Sequence, residues 1–315
     1  MIQQYADLKS RFDEYYWRKI YPLMIEKEKV RQKYLAAFKK IVVVSCIVPP
    51  IVIYLLWYCA DKYGKEWLVD FIYFAMAINA YILRAPYAKY KNKVKNDIMG
   101  LFINFFEGFN YRYKEGLTYY EFKDNHIFPD FDKIETDDCF YGSYSGVNLR
   151  ICEEKLLKYR KHNKHGKYES VFRGIVLELD MNKKFEHHTF VVKDKGMMNR
   201  FYTYGGFERV SLEDVVFEKD FEAYSQNQIE ARYLLTTAFM ERMLKLKELY
   251  QGKDIQFSFN DSKVMIAINT RKNMFEPCSL FKSNLQEGQI YNVFEQFVTI
   301  FSVIEVLKLN QKIGM

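Results

Sequence analysis

Residues 41–60 (IVVVSCIVPPIVIYLLWYCA) carry no charged side chain. Six residues, 61–66 (DKYGKE), interrupt the run, and residues 67–83 (WLVDFIYFAMAINAYIL) continue it with one charge, Asp70. A bilayer core of about 30 Å is crossed by about 20 apolar residues in helix. The first stretch meets that length and the second falls slightly short of it. Two such runs joined by a short polar turn predict a transmembrane hairpin, and the rest of the chain must be arranged around it. Pro49 and Pro50 are expected to kink the first span, which a membrane tolerates when neighbours satisfy the freed backbone. Asp70, about one turn from the outer end, and Asn79 are the strongly polar side chains within the spans.

The flanks set the orientation. Lys27, Lys29, Arg31, Lys33, Lys39 and Lys40 precede the first span, and Arg84, Lys89, Lys91, Lys93 and Lys95 follow the second. The connecting loop holds Lys62 and Lys65, balanced by Asp61 and Glu66. Basic flanks stay in the cytoplasm. Both termini are therefore expected inside, with the plasma (inner) membrane as the location and the lipid bilayer as a partner. The opening MIQQYADLKSRF lacks the basic-then-apolar order of a signal peptide, so the anchor itself should direct insertion.

Around the hairpin the apolar period is helical. Tyr5, Leu8, Phe12 and Tyr15 share a face, and a break is expected near Pro22. This first helix reads equally well as lying in the membrane interface or as packed on the protein. Leu23, Val30, Tyr34, Ala37 and Phe38 form a second stripe, and Tyr90, Val94, Ile98, Leu101, Phe102 and Phe105 form a third. These predict an antiparallel helical stalk, with a boundary near Gly108. The expected division is residues 1–109, helix, hairpin and stalk, and residues 110–315, a cytosolic α+β domain.

Charge supports that division. Residues 1–109 carry 17 Lys/Arg against 10 Asp/Glu, and residues 110–315 carry 30 of each. The whole excess of +7 lies around the hairpin. A nucleic-acid footprint belongs on the binding domain, so no nucleic-acid partner is expected. The five cysteines, Cys46, Cys59, Cys139, Cys152 and Cys278, form no C-x-x-C. They read as buried, inert thiols in a reducing compartment, not as a disulfide framework.

Beyond residue 110 the pattern predicts a mixed or antiparallel sheet with helices. Strand-like runs occupy residues 145–157, 171–179 and 188–192, separated by the turn signals KHNKHGK and DMNKK. Ser225 with Gln228 makes a capping box for a short helix, Thr236 caps a second over residues 237–250, and Gly252 ends it. Ile255, Phe257 and Phe259 alternate, as do Val264, Ile266 and Ile268, which predicts a hairpin about Asn260-Asp261-Ser262. A long amphipathic helix over residues 285–309 closes the chain.

At residues 171–192 (VFRGIVLELDMNKKFEHHTFVV), and above all at 217–243 (FEKDFEAYSQNQIEARYLLTTAFMERM), the sequence resembles a family catalogued only as Domain of Unknown Function 3137. The resemblance covers most of residues 100–310. It implies a bacterial protein with an N-terminal membrane hairpin and a cytoplasmic domain. The family carries no assigned activity, so it supplies no catalytic residue.

Residue chemistry narrows function only a little. His162 and His165 in KHNKHGK, and His187 with His188, sit in basic turns without cysteine or carboxylate at zinc spacing, so no metal is expected. Glu230, Arg232, Glu241 and Arg242 read as helix-face ion pairs or cap partners before acid–base groups. No Walker, G-x-S-x-G or G-x-G-x-x-G pattern occurs, and neither Arg173-Gly174 nor Tyr204-Gly205-Gly206 is long enough to signal phosphate binding. No catalytic or cofactor site is expected. Capping chemistry and aromatics crowd residues 217–243, and Tyr224, Gln228 and Arg232 are the candidate binding surface, with a core junction as the competing reading. The expected function is a membrane-tethered binding or scaffold module. The alternatives are a tethered enzyme whose site is assembled from distant residues, and a subunit of a larger membrane complex with Asp70 and Asn79 facing partner helices.

Overall fold

The computed structural model describes residues 2–64, 68–162, 165–194 and 205–309. The chain forms two compact units. One is Met1–Phe105 with Glu276–Asn292, and the other is Phe106–Phe275 with Val293–Met315. The segment Glu276–Asn292, assigned by sequence to the C-terminal domain, thus belongs with the N-terminal helices.

In the first unit, α1 (Ile2–Tyr15) passes through a π-helical turn (Tyr16–Ile20) into α2 (Tyr21–Tyr63). The break expected at Pro22 does not occur. The Tyr21 N–H donates to Tyr16 O, five residues back, and this wider turn absorbs the donor that Pro22 lacks. The α2 helix also continues through Pro49 and Pro50 and ends on Gly64, whose left-handed φ of 59° suits glycine. It is followed by α3 (Leu68–Ile103). Phe12, Tyr16 and Ile20 are buried, and Phe12 meets Phe102 and Phe105 edge-on at 5.8 and 5.1 Å. The Tyr15 hydroxyl donates to Leu101 O at 2.9 Å. The first helix is therefore packed on α3, which decides between its two sequence readings.

The segment Glu276–Asn292 is clasped to these helices by buried polar groups. Arg31 donates to both carboxylate oxygens of Glu28, at 2.9 and 2.6 Å, and to Leu280 O at 3.0 Å. Glu28 also accepts from the Asn284 N–H at 2.9 Å, and the Tyr90 hydroxyl donates to Asn284 Oδ1 at 2.8 Å. Lys95, wholly buried, meets Glu276 at 3.1 Å, and Lys91 meets it at 2.8 Å. Pairing and hydrogen bonding offset the cost of burying these charges.

Farther along the hairpin many apolar side chains of the described residues stand exposed. α2 contains an 18-residue apolar stretch with no buried residue, long enough to cross a membrane. Val43, Ile47, Ile51, Leu55 and Trp57 on α2 stand exposed, as do Phe71, Phe74 and Ile78 on α3.

The second unit is a nine-stranded antiparallel sheet with helices, an α+β fold as expected. Its elements are β1 (Asn110–Tyr113), α4 (Tyr119–Asp124), β2 (Lys133–Tyr144), β3 (Val147–His162), β4 (His165–Asp180), β5 (Thr189–Lys193), β6 (Glu208–Val210), α5 (Val215–Glu218), β7 (Phe221–Ser225), α6 (Gln228–Leu234), α7 (Thr237–Leu249), β8 (Ile255–Asn260), β9 (Lys263–Ile268) and α8 (Gly288–Leu307). The strand order is β1-β2-β3-β4-β9-β8-β5-β7-β6.

Register explains the core. Phe140, Ile151, Leu177, Ile266, Phe257, Val191 and Ala223 are successive cross-strand partners, and all are buried on one face. Helices cover that face: Phe140 meets Phe297 of α8 at 4.8 Å, and Phe259 meets Phe239 of α7 at 5.8 Å. The α8 helix also has the length and composition of a span, but half of its apolar window is buried, which suits a core helix. The opposite face is covered by the segment from Leu117 to Phe131. Leu117, Phe122, Ile127 and Phe131 pack there on Leu156, Phe172, Val176 and Phe190.

Three sequence expectations change here. Cys139 and Cys152 are direct cross-strand partners on β2 and β3 and form a disulfide, where inert thiols were expected. Their separation of 13 residues hides a juxtaposition that only hairpin register creates. The cap of α6 is Asn227, whose side chain accepts from the N–H groups of Ile229 and Glu230, whereas Ser225 accepts from the Asn227 N–H. The closing helix begins at Gly288, three residues later than expected.

Candidate functional site at one end of the sheet

Of the three residues singled out by sequence, one is buried, one half-buried and one exposed. Tyr224 is buried, at 8% exposure, within the core cluster, and its hydroxyl donates to Glu222 at 2.9 Å. Gln228 is half-buried and donates to Arg209 O at 3.1 Å. Arg232 is exposed on α6. The crowding of residues 217–243 is explained by caps. Asp214, Asn227 and Thr236 open three successive helices, and Glu230 accepts from the N–H groups of Glu186 and His187, both at 2.9 Å.

His187 and His188 likewise have structural partners. The His187 ring meets Glu230 at 3.0 Å, while His188 Nε2 meets the Ser258 hydroxyl at 2.7 Å. Burial, and His126 beside it, lower the His188 pKa to about 4, so it is neutral. His162 and His165 are paired by backbone register at the tip of the β3–β4 hairpin, and their side chains lie outside the described residues.

The concave surface lies elsewhere. The end of β3, the start of β4, the end of β9, the start of β8 and the end of β5 all reach the same end of the sheet. Three adjoining clefts open there, of about 490, 450 and 640 Å³. The first and second share Arg173, and the second and third share Val171, Phe172 and Asn269. Phe128 and Phe172, edge-on at 5.4 Å, give the largest cleft an aromatic wall. Its rim carries Asp130 with Lys158, at 2.7 Å, and Lys193 with Asp254, at 2.6 Å. The second cleft adds Arg271 and Ser170.

The first cleft holds a wholly buried carboxyl. Glu154, on β3, accepts from the Thr136 hydroxyl at 2.7 Å and the Leu117 N–H at 3.1 Å. Gly116 lets the main chain close over it, because a Cβ there would lie 2.2 Å from Glu154 Oε1. Next to it, Glu153 accepts from the Met274 N–H at 3.0 Å. The register shift of β2 between Thr136 and Cys139 turns Asp137 toward this cleft. Burial pushes the Glu154 pKa up to about 7, against the pull of its two hydrogen bonds and of Arg150. The folded state thus binds a proton that the unfolded chain releases near its ordinary value of 4.5. Stability supplied by that proton is complete at low pH and falls as pH rises through about 5 to 7. Glu154→Gln should abolish that slope in melting experiments and leave the protein more stable at pH 8 by about 2 kcal/mol. An unchanged slope would mean that Glu154 is ionised in the fold.

Residues 170–309 match the family model described as a protein of unknown function, DUF3137. The chain resembles that family over this segment. The match begins inside β4, so Phe172, Arg173, Asn269 and Arg271 of the clefts lie within it, and Glu154 lies before it. No curated protein sequence matches the chain. Among solved structures, the crystal structure of the mycobacterial trehalose monomycolate transport factor A, TtfA, is similar at 9% identity over 63% of this chain and 88% of that one, with a TM-score of 0.33. A score this low does not establish a shared fold.

The signal that sequence reading lacked is burial. Glu153-Glu154 stands in the run ICEEKLLK, and nothing local separates these carboxylates from solvated ones. Arg173, in a dipeptide too short to signal phosphate binding, lines two of the clefts.

Proposed function

We propose that this protein is a membrane-tethered cytosolic binding module that holds a polypeptide segment in the groove formed by the three clefts. The observation that supports this most is the groove's length and mixed character. Basic groups, Lys114, Lys155, Arg160, Arg173 and Arg271, alternate with Glu135, Asp130 and Asp254 along an aromatic wall. An anionic polymer would meet repulsion from the acidic groups among these, whereas a peptide with both charges and an apolar side chain would not. The neutral charge of residues 110–315 agrees with this. Tethering raises the concentration of the module at the bilayer, which is what a recruiting role needs.

The test is purification of the full chain from native membranes in mild detergent. A stoichiometric partner should accompany the wild-type chain and be lost from the double variant Arg160→Glu/Arg271→Glu, with melting unchanged because both side chains are largely exposed. Equal capture by the double variant would place recognition outside the groove.

The anchor in this reading is the hairpin of α2 and α3, crossing the plasma membrane twice with both termini in the cytoplasm. Its support is the basic flanks and the uncovered apolar side chains. Reporters fused at residues 1 and 315 should both behave as cytoplasmic. A periplasmic reporter active at residue 315 would overturn this topology and would put the Cys139 and Cys152 disulfide in an oxidising compartment.

A second reading, a membrane-tethered enzyme, is favoured by Glu154 alone. A carboxyl poised near neutrality at the wall of a cleft has the protonation behaviour of an acid–base group.

A further inference from the structure

The hairpin carries polar groups that its own fold leaves without partners. A groove of about 400 Å³ runs along it between α2 and α3, walled by apolar side chains such as Val44, Val48, Val52 and Ile82. Ser45 and Asn79 also line it, and among the described residues neither side chain makes a hydrogen bond. Pro49 lines it too. Having no N–H, Pro49 cannot return a hydrogen bond to the carbonyl four residues earlier, which is that of Ser45. A hydroxyl and a carboxamide therefore line one apolar groove, and the Ser45 carbonyl lacks the helical donor that Pro49 would otherwise supply.

We propose that this groove is the face on which a second copy of the chain docks, with Asn79 pairing across a two-fold axis. The inference rests on the membrane reading above. In hydrocarbon each unsatisfied polar group is costly, and an acyl chain offers neither donor nor acceptor. A carboxamide offers both, so two copies of Asn79 satisfy one another and keep one donor each for a further acceptor. Such reciprocity is what a two-fold interface requires. The small side chains of Ser45 and Ala75 in the groove permit close approach of a partner helix. Asp70, by contrast, is exposed near the outer end, outside the groove.

The experiment uses the full chain in native membranes, with Cys46 and Cys59 replaced by alanine and one cysteine introduced. Ala75→Cys lies in the groove and keeps Asn79, whereas Tyr81→Cys, at 76% exposure, lies outside it. Mild oxidation should convert most of the Ala75→Cys chain to a species of twice the mass and leave Tyr81→Cys monomeric. Adding Asn79→Leu to Ala75→Cys should reduce the dimer at least tenfold. Equal crosslinking at both positions, insensitivity to Asn79→Leu, or a crosslinked product of any other mass would overturn the second copy as occupant. Extraction by alkaline carbonate separates the two failures. A chain retained in the membrane but never dimeric refutes this interface alone, and a chain released refutes the membrane reading with it.

Discussion

Replacing Arg31 by alanine should destabilise the helical unit by about 3 kcal/mol, the scale expected when one partner of a buried ion pair is removed. Arg31 is the centre of the clasp on Glu276–Asn292: it neutralises Glu28 and binds Leu280 O. Without it the Glu28 carboxylate, held well below its usual pKa chiefly by Arg31, keeps only Gln32 and the Asn284 N–H. The cost arises from that orphaned charge more than from the lost bonds, so Glu28→Gln/Arg31→Met should recover much of the loss. Melting of the detergent-solubilised chain gives the magnitude, and limited proteolysis locates it. Cleavage within residues 276–292 should appear in Arg31→Ala and subside in the double variant. Unchanged melting and proteolysis in Arg31→Ala would show the pair to be a surface interaction of little consequence.

The second large effect is expected at Gly174, where Ala should cost about 3 kcal/mol and distort the candidate groove. The reason is backbone against backbone. A Cβ at Gly174 would lie 1.9 Å from Ile268 O and 2.9 Å from Thr270 N, where β9 runs past the start of its pairing with β4. No rotamer relieves such a contact, so the strands must part beside Arg173 and Asn269. Gly108, by comparison, has open space around its missing Cβ, and its φ of 81° gives Ala there only a conformational penalty. A Gly174→Ala protein within about 1 kcal/mol of wild type would show that β9 can shift without loss.

These two sites mark where sequence reading stops. Local physics was enough for the elements. The alternation of Ile255, Phe257 and Phe259 against Val264, Ile266 and Ile268 forms β8 and β9, turning at Asp261-Ser262, where Asp261 takes a φ of 54°. Thr236 caps α7, and the N–H of Gly252 closes its end by donating to Lys247 O at 2.9 Å. Such features depend on residues within one turn of each other, and the sequence displays them directly. The long apolar run of residues 41–60 was legible for the same reason, because it is contiguous.

Tertiary structure decided what depends on pairing between distant strands. Cys139 and Cys152 become neighbours through hairpin register, and Glu154 loses its water to Gly116 and Leu117, which precede it by more than thirty residues. The groove collects residues from β2, β3, β4, β5, β8 and the chain after β9, which hairpin turns alone do not bring together. Tyr224 looked like a surface group because strand pattern fixes only that successive residues alternate faces. The cover of Leu117, Phe122, Ile127 and Phe131 made its face a core. The membership of Glu276–Asn292 was hidden likewise, since Asn284 and Leu280 find their partners, Glu28 and Arg31, some 250 residues earlier. Side-chain chemistry is written in the sequence, but desolvation is not. The pKa of a carboxyl, the pairing of a thiol and the concavity of a surface all follow from which distant segments exclude the water.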